Sequence, residues 1–246
     1  ANVTQLCEPD SVIFQALDTT GTQLSFKWII ESTSTPYNNP RTYKHGFSQP
    51  GRYDVTMVSW DENDCLDTIR KPNYVVLGKP IAGFKPSAPQ GCVPFSVTFT
   101  DTSKQVIGLT ASTYRWNFGD GDTAFTTSAT FNHTYTSVGT YTVTEVVTNN
   151  INCSDTITGV ITVLNANPNF NASLTHPCIG VPVSFNNTTL DLVTCKWQFG
   201  DGDTSLLTTP THAYNDTGRY NVSLTVTDSH GCTATTTFIN YITTTK

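Results

Sequence analysis

Apolar and polar residues alternate with a period of two along most of this chain. The segments Tyr141-Thr-Val-Thr-Glu-Val-Val147 and Tyr220-Asn-Val-Ser-Leu-Thr-Val226 are clear examples. A period of two is that of a half-buried β-strand, in which successive side chains point to opposite faces. Each segment runs into a polar turn that holds a cysteine and then into a Thr-rich strand. Val, Thr, Tyr and Phe recur where strands need β-branched and aromatic residues, and the Ala, Leu, Glu and Lys that favour helices are sparse. The pattern predicts an all-β protein.

The same order of features occurs three times. Trp28, Trp116 and Trp197 stand roughly 80 to 90 residues apart, the size of one β-sandwich domain. Downstream of each comes His-x-aromatic-x3-Gly-x-Tyr-x-Val: His45, Phe47, Gly51, Tyr53, Val55; His133, Tyr135, Gly139, Tyr141, Val143; His212, Tyr214, Gly218, Tyr220, Val222. Each final strand then meets proline, at Gly78-Lys79-Pro80 and at Asn165-Ala166-Asn167-Pro168. The expected domains are therefore 1–78, 79–165 and 166–246. Links this short leave neighbours little freedom, so the expected array is an extended, stiff rod.

The segments Trp116-Asn-Phe-Gly-Asp-Gly121 and Trp197-Gln-Phe-Gly-Asp-Gly202, each followed by His-x-Tyr-x3-Gly-x-Tyr-x-Val, closely resemble the signature of PKD (polycystic kidney disease) domains. The resemblance implies an immunoglobulin-like β-sandwich for each repeat. The first repeat is divergent, reading Trp28-Ile-Ile-Glu-Ser32 where the Phe-Gly-Asp-Gly turn should be. On this reading Trp28, Trp116 and Trp197 are mid-strand core residues, and Tyr53, Tyr141 and Tyr220 lock the turn between sheets as tyrosine corners. Phe26, Tyr114 and Cys195, two residues before each Trp, share its buried face, which makes Cys195 a buried, unreactive thiol.

Of the other six cysteines, one precedes the second strand of each repeat (Cys7, Cys92, Cys178) and one follows the strand after the corner (Cys65, Cys153, Cys232). Pairing within a repeat is one possibility. With an immunoglobulin-like topology the two positions lie at opposite ends of a strand, roughly 20 Å apart, against a Cα separation near 7 Å at most for a disulfide. The alternative joins neighbours, Cys7 to Cys153 and Cys92 to Cys232, and leaves Cys65 and Cys178 available to flanking domains or subunits. Connectivity does not follow from sequence, and both pairings stand at this point.

The candidate chemistry is thin. Asp120, Asp122, Asp201 and Asp203 sit in Gly-Asp-Gly-Asp turns, where Gly supplies positive φ and Asp caps its own backbone; weak calcium binding is the alternative. His45, His133 and His212 are expected to hydrogen-bond the turn rather than to ligate zinc. Trp60, Tyr37 and Tyr43 are either a carbohydrate platform or partly buried at a domain junction. No nucleophile elbow, phosphate loop or HExxH motif occurs. Catalysis and a resident cofactor are not expected.

Charge and cysteine content narrow the partners. A net charge of −6, from 13 Lys+Arg against 19 Asp+Glu, offers no basic stripe for nucleic acid. No apolar run approaches a membrane span, and Ala1 opens no signal-like segment, so the sequence reads as mature material that does not insert in a membrane. Seven cysteines without zinc-type spacing favour an oxidising, extracellular or cell-surface setting, and the resemblance points to a bacterial protein. The expected function is a structural or adhesive module that contacts other protein domains, subunits of its own array or surface polysaccharide. The competing expectations are a subunit of an extracellular filament and an accessory module of a secreted hydrolase.

Overall fold

A computed structural model describes residues 4–17, 24–30, 33–34, 41–106 and 108–246. Every regular element among them is a strand. The first repeat holds β1 (Thr4–Leu6), β2 (Asp10–Gln15), β3 (Ser25–Ile30), β4 (Thr33–Ser34), β5 (Thr42–Phe47), β6 (Gly51–Trp60) and β7 (Leu66–Leu77). The second holds β8 (Phe84–Pro86), β9 (Gln90–Cys92), β10 (Phe95–Asp101), β11 (Ala111–Asn117), β12 (Thr123–Thr126), β13 (Thr130–Tyr135), β14 (Gly139–Asn149) and β15 (Ser154–Leu164). The third holds β16 (Phe170–Ala172), β17 (Val183–Asn187), β18 (Leu192–Gln198), β19 (Thr204–Ser205), β20 (Thr211–His212), β21 (Gly218–Asp228) and β22 (Thr233–Thr244).

Among the described residues each repeat contributes two sheets. In the first they are β1-β7-β6-β3-β4 and β2-β5; in the second, β12-β11-β14-β15-β9 and β13-β10-β8; in the third, β19-β18-β21-β22 and β16-β17-β20. The larger sheet always centres on the Trp strand paired antiparallel with the corner strand: Trp28 opposite Met57, Trp116 opposite Glu145 and Trp197 opposite Leu224. Alternation along these strands sends Phe26, Trp28 and Ile30 inward in the first repeat and Val222, Leu224 and Val226 inward in the third. The all-β, immunoglobulin-like class expected from the sequence is the class observed.

Chain contacts divide the molecule into two compact units, and the second repeat contributes to both. One unit takes in Ala1–Lys85, Phe99–Phe131 and Val143–Gly159; the other takes in Pro86–Thr98, Asn132–Thr142 and Val160–Lys246. Within the first unit, Phe14, Phe26, Trp28, Phe47, Val55 and Leu77 form one buried cluster. Phe84, Phe99 and Trp116 form an aromatic group there too, with centroid separations of 5.3 to 5.9 Å. Within the second unit, Phe170, Phe185, Trp197, Phe199, Tyr214 and Leu224 form the core. Burial of large aromatics is the main stabilising term in sandwiches of this size, each contributing about 2 kcal/mol or more.

The corner strand carries a local device that alternation alone does not reveal. Register shifts between Tyr53 and Val55 and between Tyr220 and Val222. At each bulge the intervening side chain, Asp54 or Asn221, accepts a hydrogen bond from an Asn backbone on the next strand (Asn73 N at 2.7 Å, Asn240 N at 2.8 Å). Those asparagines have φ of 49° and 50°, a left-handed conformation that Asn tolerates better than most residues.

Candidate functional site

The Trp-x-Phe-Gly-Asp-Gly-Asp segment is best seen in the third repeat. Trp197 donates from Nε1 to the Leu207 carbonyl at 2.9 Å, and Cys195 Sγ lies 3.5 Å from the same oxygen. Cys195 is buried and is held by backbone there. Beyond the Trp strand the chain reverses: Phe199 N donates to Asp203 O at 3.1 Å, and Asp203 N donates to Asp201 Oδ1 at 3.1 Å. Gly200 has φ of 93°, and a Cβ there would come within 2.4 Å of the Asn221 carbonyl, so the turn requires glycine. The second repeat makes the same reversal, with Phe118 N to Asp122 O and Asp122 N to Asp120 Oδ1, both 3.1 Å.

His212 closes the turn in the third repeat. Its Nε2 lies 2.6 Å from Asp201 Oδ2, and its Nδ1 lies 4.0 Å from Asp203 Oδ2. The ring stacks on Phe199 at 4.2 Å with an 8° tilt. Tyr214 then donates to the Phe199 carbonyl at 3.1 Å, and burial pushes its phenol well above the ordinary range. Asp201, Asp203 and His212 are close enough to hold a cation, since one ligand atom from each lies within 4.8 Å of the others. Two carboxylates and an imidazole suit a borderline metal such as zinc better than calcium, which takes 6–8 oxygen ligands. Both Asp201 oxygens already accept hydrogen bonds from the turn, so the group is satisfied without an ion. Chelation with EDTA is therefore expected to leave the melting temperature unchanged, and differential scanning calorimetry checks this.

The corner tyrosines act four residues upstream. Tyr220 donates to Asp216 O at 2.9 Å, Tyr141 to Ser137 O at 2.9 Å, and Tyr53 to Gln49 O. Tyr220→Phe removes one hydrogen bond and should cost about 1 kcal/mol, read by urea unfolding. In the first repeat His45 Nδ1 lies 3.2 Å from the Tyr43 hydroxyl. His133 is buried and packs edge-on against Tyr135. Trp60 ends β6 half-buried, while Tyr43 belongs to β5 in the other sheet, so the two do not share a face. Tyr37 lies outside the described residues.

Two disulfides are present, Cys7–Cys153 and Cys92–Cys232, and both join different repeats. Each lies inside one compact unit. The first is embedded in a small apolar cluster of Val76, Leu109, Ile151 and Cys153. Around it, buried Asn149 donates from Nδ2 to Gly78 O at 3.1 Å, and Lys79 bridges Glu8 at 2.8 Å and Asp155 at 3.8 Å. The second lies against the third-repeat core, where Cys92, Leu164 and Ala166 pack on it.

No sequence motif marks Glu145. Glu145 is 0% exposed, and among the described residues neither carboxyl oxygen has a hydrogen-bond partner of good geometry. Burial, and then the negative charge of Asp101, push it up to about 8. Its parity was the available signal, because Val143, Glu145, Val147 and Asn149 all share the buried face.

A family model described as PKD domain matches residues 79–163 and 165–243. The chain belongs to the PKD domain family. A segment of 46 residues is 59% identical to a microbial collagenase of Vibrio alginolyticus, covering 19% of this chain and 6% of the collagenase. A segment of 40 residues is 50% identical to collagenase ColA of Bacillus cereus, covering 16% of this chain and 4% of the collagenase. The chain thus spans a small fraction of the length of these relatives. Among solved structures, the PKD1 domain of the Vibrio cholerae metalloprotease PrtV is 32% identical, with 35% of this chain and 96% of that one covered and a TM-score of 0.30. The PKD1 domain of Vibrio anguillarum Epp is 26% identical, covering 35% and 93%, at a TM-score of 0.30. The PKD matches coincide with the second and third repeats, whose turns and corners are described above.

Proposed function

We propose that this chain is a non-catalytic module of a secreted bacterial protein, a run of PKD domains over 1–78, 79–165 and 166–246 that supplies spacing and contact surface rather than chemistry. The observation that carries this is the use to which the reactive side chains are put. Asp201 and His212 bind one another across a turn, and four cysteines are tied in bridges. Bridges of this kind need an oxidising compartment, which supports an extracellular location. The partners it would meet are protein domains or surface polysaccharide.

A second reading has its own support. Two sequence relatives are collagenases, and the matched segments are small parts of them. An accessory role beside a secreted hydrolase, presenting an insoluble substrate, fits that placement. Co-sedimentation of the purified chain with fibrillar collagen, cellulose and chitin tests both readings. Retention on one polymer without turnover supports the accessory role, and retention on none supports the spacer. Hydrolysis of gelatin or polysaccharide that Asp201→Asn abolishes would sink the non-catalytic reading.

A further inference from the structure

The two bridged junctions are built from the same two parts, and the chain carries one unused copy of each. The first part is a hairpin turn of pattern Asp/Asn-x3-Cys. In it the Cys backbone donates to the Asp or Asn side chain and returns its own carbonyl to that residue's N–H. The distances are 3.0 and 2.9 Å at Asn149–Cys153 and 2.9 and 3.0 Å at Asp228–Cys232. Asp61–Cys65 repeats the arrangement at 3.0 and 3.3 Å. The residue before the cysteine takes positive φ in all three turns: Asn152 at 63°, Gly231 at 81° and Asp64 at 61°. Cys153 and Cys232 are bridged and buried, whereas Cys65 is a free, exposed thiol.

The second part is a cysteine set parallel to the last strand of its own repeat. Leu6, just before Cys7, pairs with Leu77, and Cys92 pairs with Leu164. Cys178 pairs with Thr245 in the same parallel sense, and it too is free and exposed. Its surroundings are apolar and open, with Ile179 41% and Val181 37% exposed. The first junction also carries a charge pair, whereas the second has Asn165 and Ala234 at the matching positions. Extending the register from Leu6–Leu77 sets Lys79 one step past the residue opposite Cys7, and Lys79 bridges Asp155, two residues after Cys153. Lys246 lies one step past Thr245, the residue opposite Cys178, and Asp67 lies two residues after Cys65.

We propose that the Cys178 surface docks the Cys65 turn of a second copy of this chain and that the two cysteines form a disulfide. The contact is heterologous, so it propagates into open chains or closes into a ring. The bond forms by thiol–disulfide exchange. A Cys65 or Cys178 thiolate attacks an oxidised small-molecule disulfide such as glutathione disulfide and releases one thiol. The second cysteine then displaces the other thiol, so that two protons and two electrons pass to the reagent. Asp67 meets Lys246 across the contact, as Asp155 meets Lys79 within the chain.

The test uses the full chain in two variants, Cys65→Ser and Cys178→Ser, one isotopically labelled, incubated with glutathione disulfide. Each variant alone should remain monomeric on non-reducing electrophoresis. The mixture should form a covalent dimer at least about tenfold faster than either variant alone, and stop there. Peptide mapping should find Cys178 of the Cys65→Ser chain joined to Cys65 of the Cys178→Ser chain, with both internal bridges intact. The unaltered chain should give a ladder of oligomers. Homodimers forming as fast as mixed ones, glutathione adducts on monomers, or a Cys65–Cys178 bond within one unaltered chain would each overturn the proposal.

Discussion

Replacing both Cys7 and Cys153 by serine should destabilise the first compact unit by about 3–5 kcal/mol. The bridge spans a sequence separation of 146, so in the unfolded chain it restrains a very long loop. A chain-entropy argument gives a cost near the upper end of that range for a loop of this length. The native state loses anchorage as well, because the bridge fixes β1 beside the Val76, Leu109 and Ile151 cluster. Guanidinium unfolding followed by tryptophan fluorescence measures the effect, with Cys92→Ser/Cys232→Ser as the matched comparison in the other unit. A midpoint unchanged in the Cys7/Cys153 variant would show that the bridge follows folding rather than supporting it.

The second large effect concerns pH. Glu145 is held above its ordinary 4.5 at about 8, by burial first and the charge of Asp101 second. Asp101 at the end of β10 and Tyr114 on β11 are the titratable groups facing it, and burial pushes the Tyr114 phenol up as well. A raised acid binds its proton more tightly when folded than when unfolded. Its contribution is fully present below about pH 4.5 and is lost as pH rises towards 8. At about 1.4 kcal/mol for each pH unit, that window sets a ceiling of roughly 5 kcal/mol, and solvent screening should bring the loss down to a few kcal/mol. Glu145→Gln should flatten the stability profile between pH 5 and 8, and urea unfolding across that range checks it. Leu224 and Met57 hold the equivalent position opposite Trp197 and Trp28, so Glu145→Leu should flatten it too and raise stability at pH 8. A wild-type profile already flat would mean that Glu145 is charged and solvated in the fold.

These two effects differ in how far the sequence foretold them. The burial of Glu145 follows from parity along β14, so a count of alternating positions would have found it. The charge of Asp101 beside it does not, because Asp101 lies on a different sheet more than forty positions away. The Asp201–His212 contact is intermediate. The Gly-Asp-Gly-Asp run forecast a turn, but the 2.6 Å approach of the ring needs β20 to pair with β17 and Phe199 to offer its face. The bulges at Asp54 and Asn221 left only the faint signal of an asparagine far along the next strand.

Local sequence is enough to establish the all-β class, the threefold order of Trp, His, Gly and Tyr, the PKD resemblance and the buried face of the Trp strands. All of these rest on local periodicity and on turn chemistry, which are written in neighbouring residues. The folded chain chose between the two cysteine pairings that the sequence left open, selecting the one that joins neighbouring repeats, and it alone placed an acid beside an acid in an apolar interior. Such contacts join segments up to 146 residues apart, and no short-range pattern encodes the path the chain takes between them.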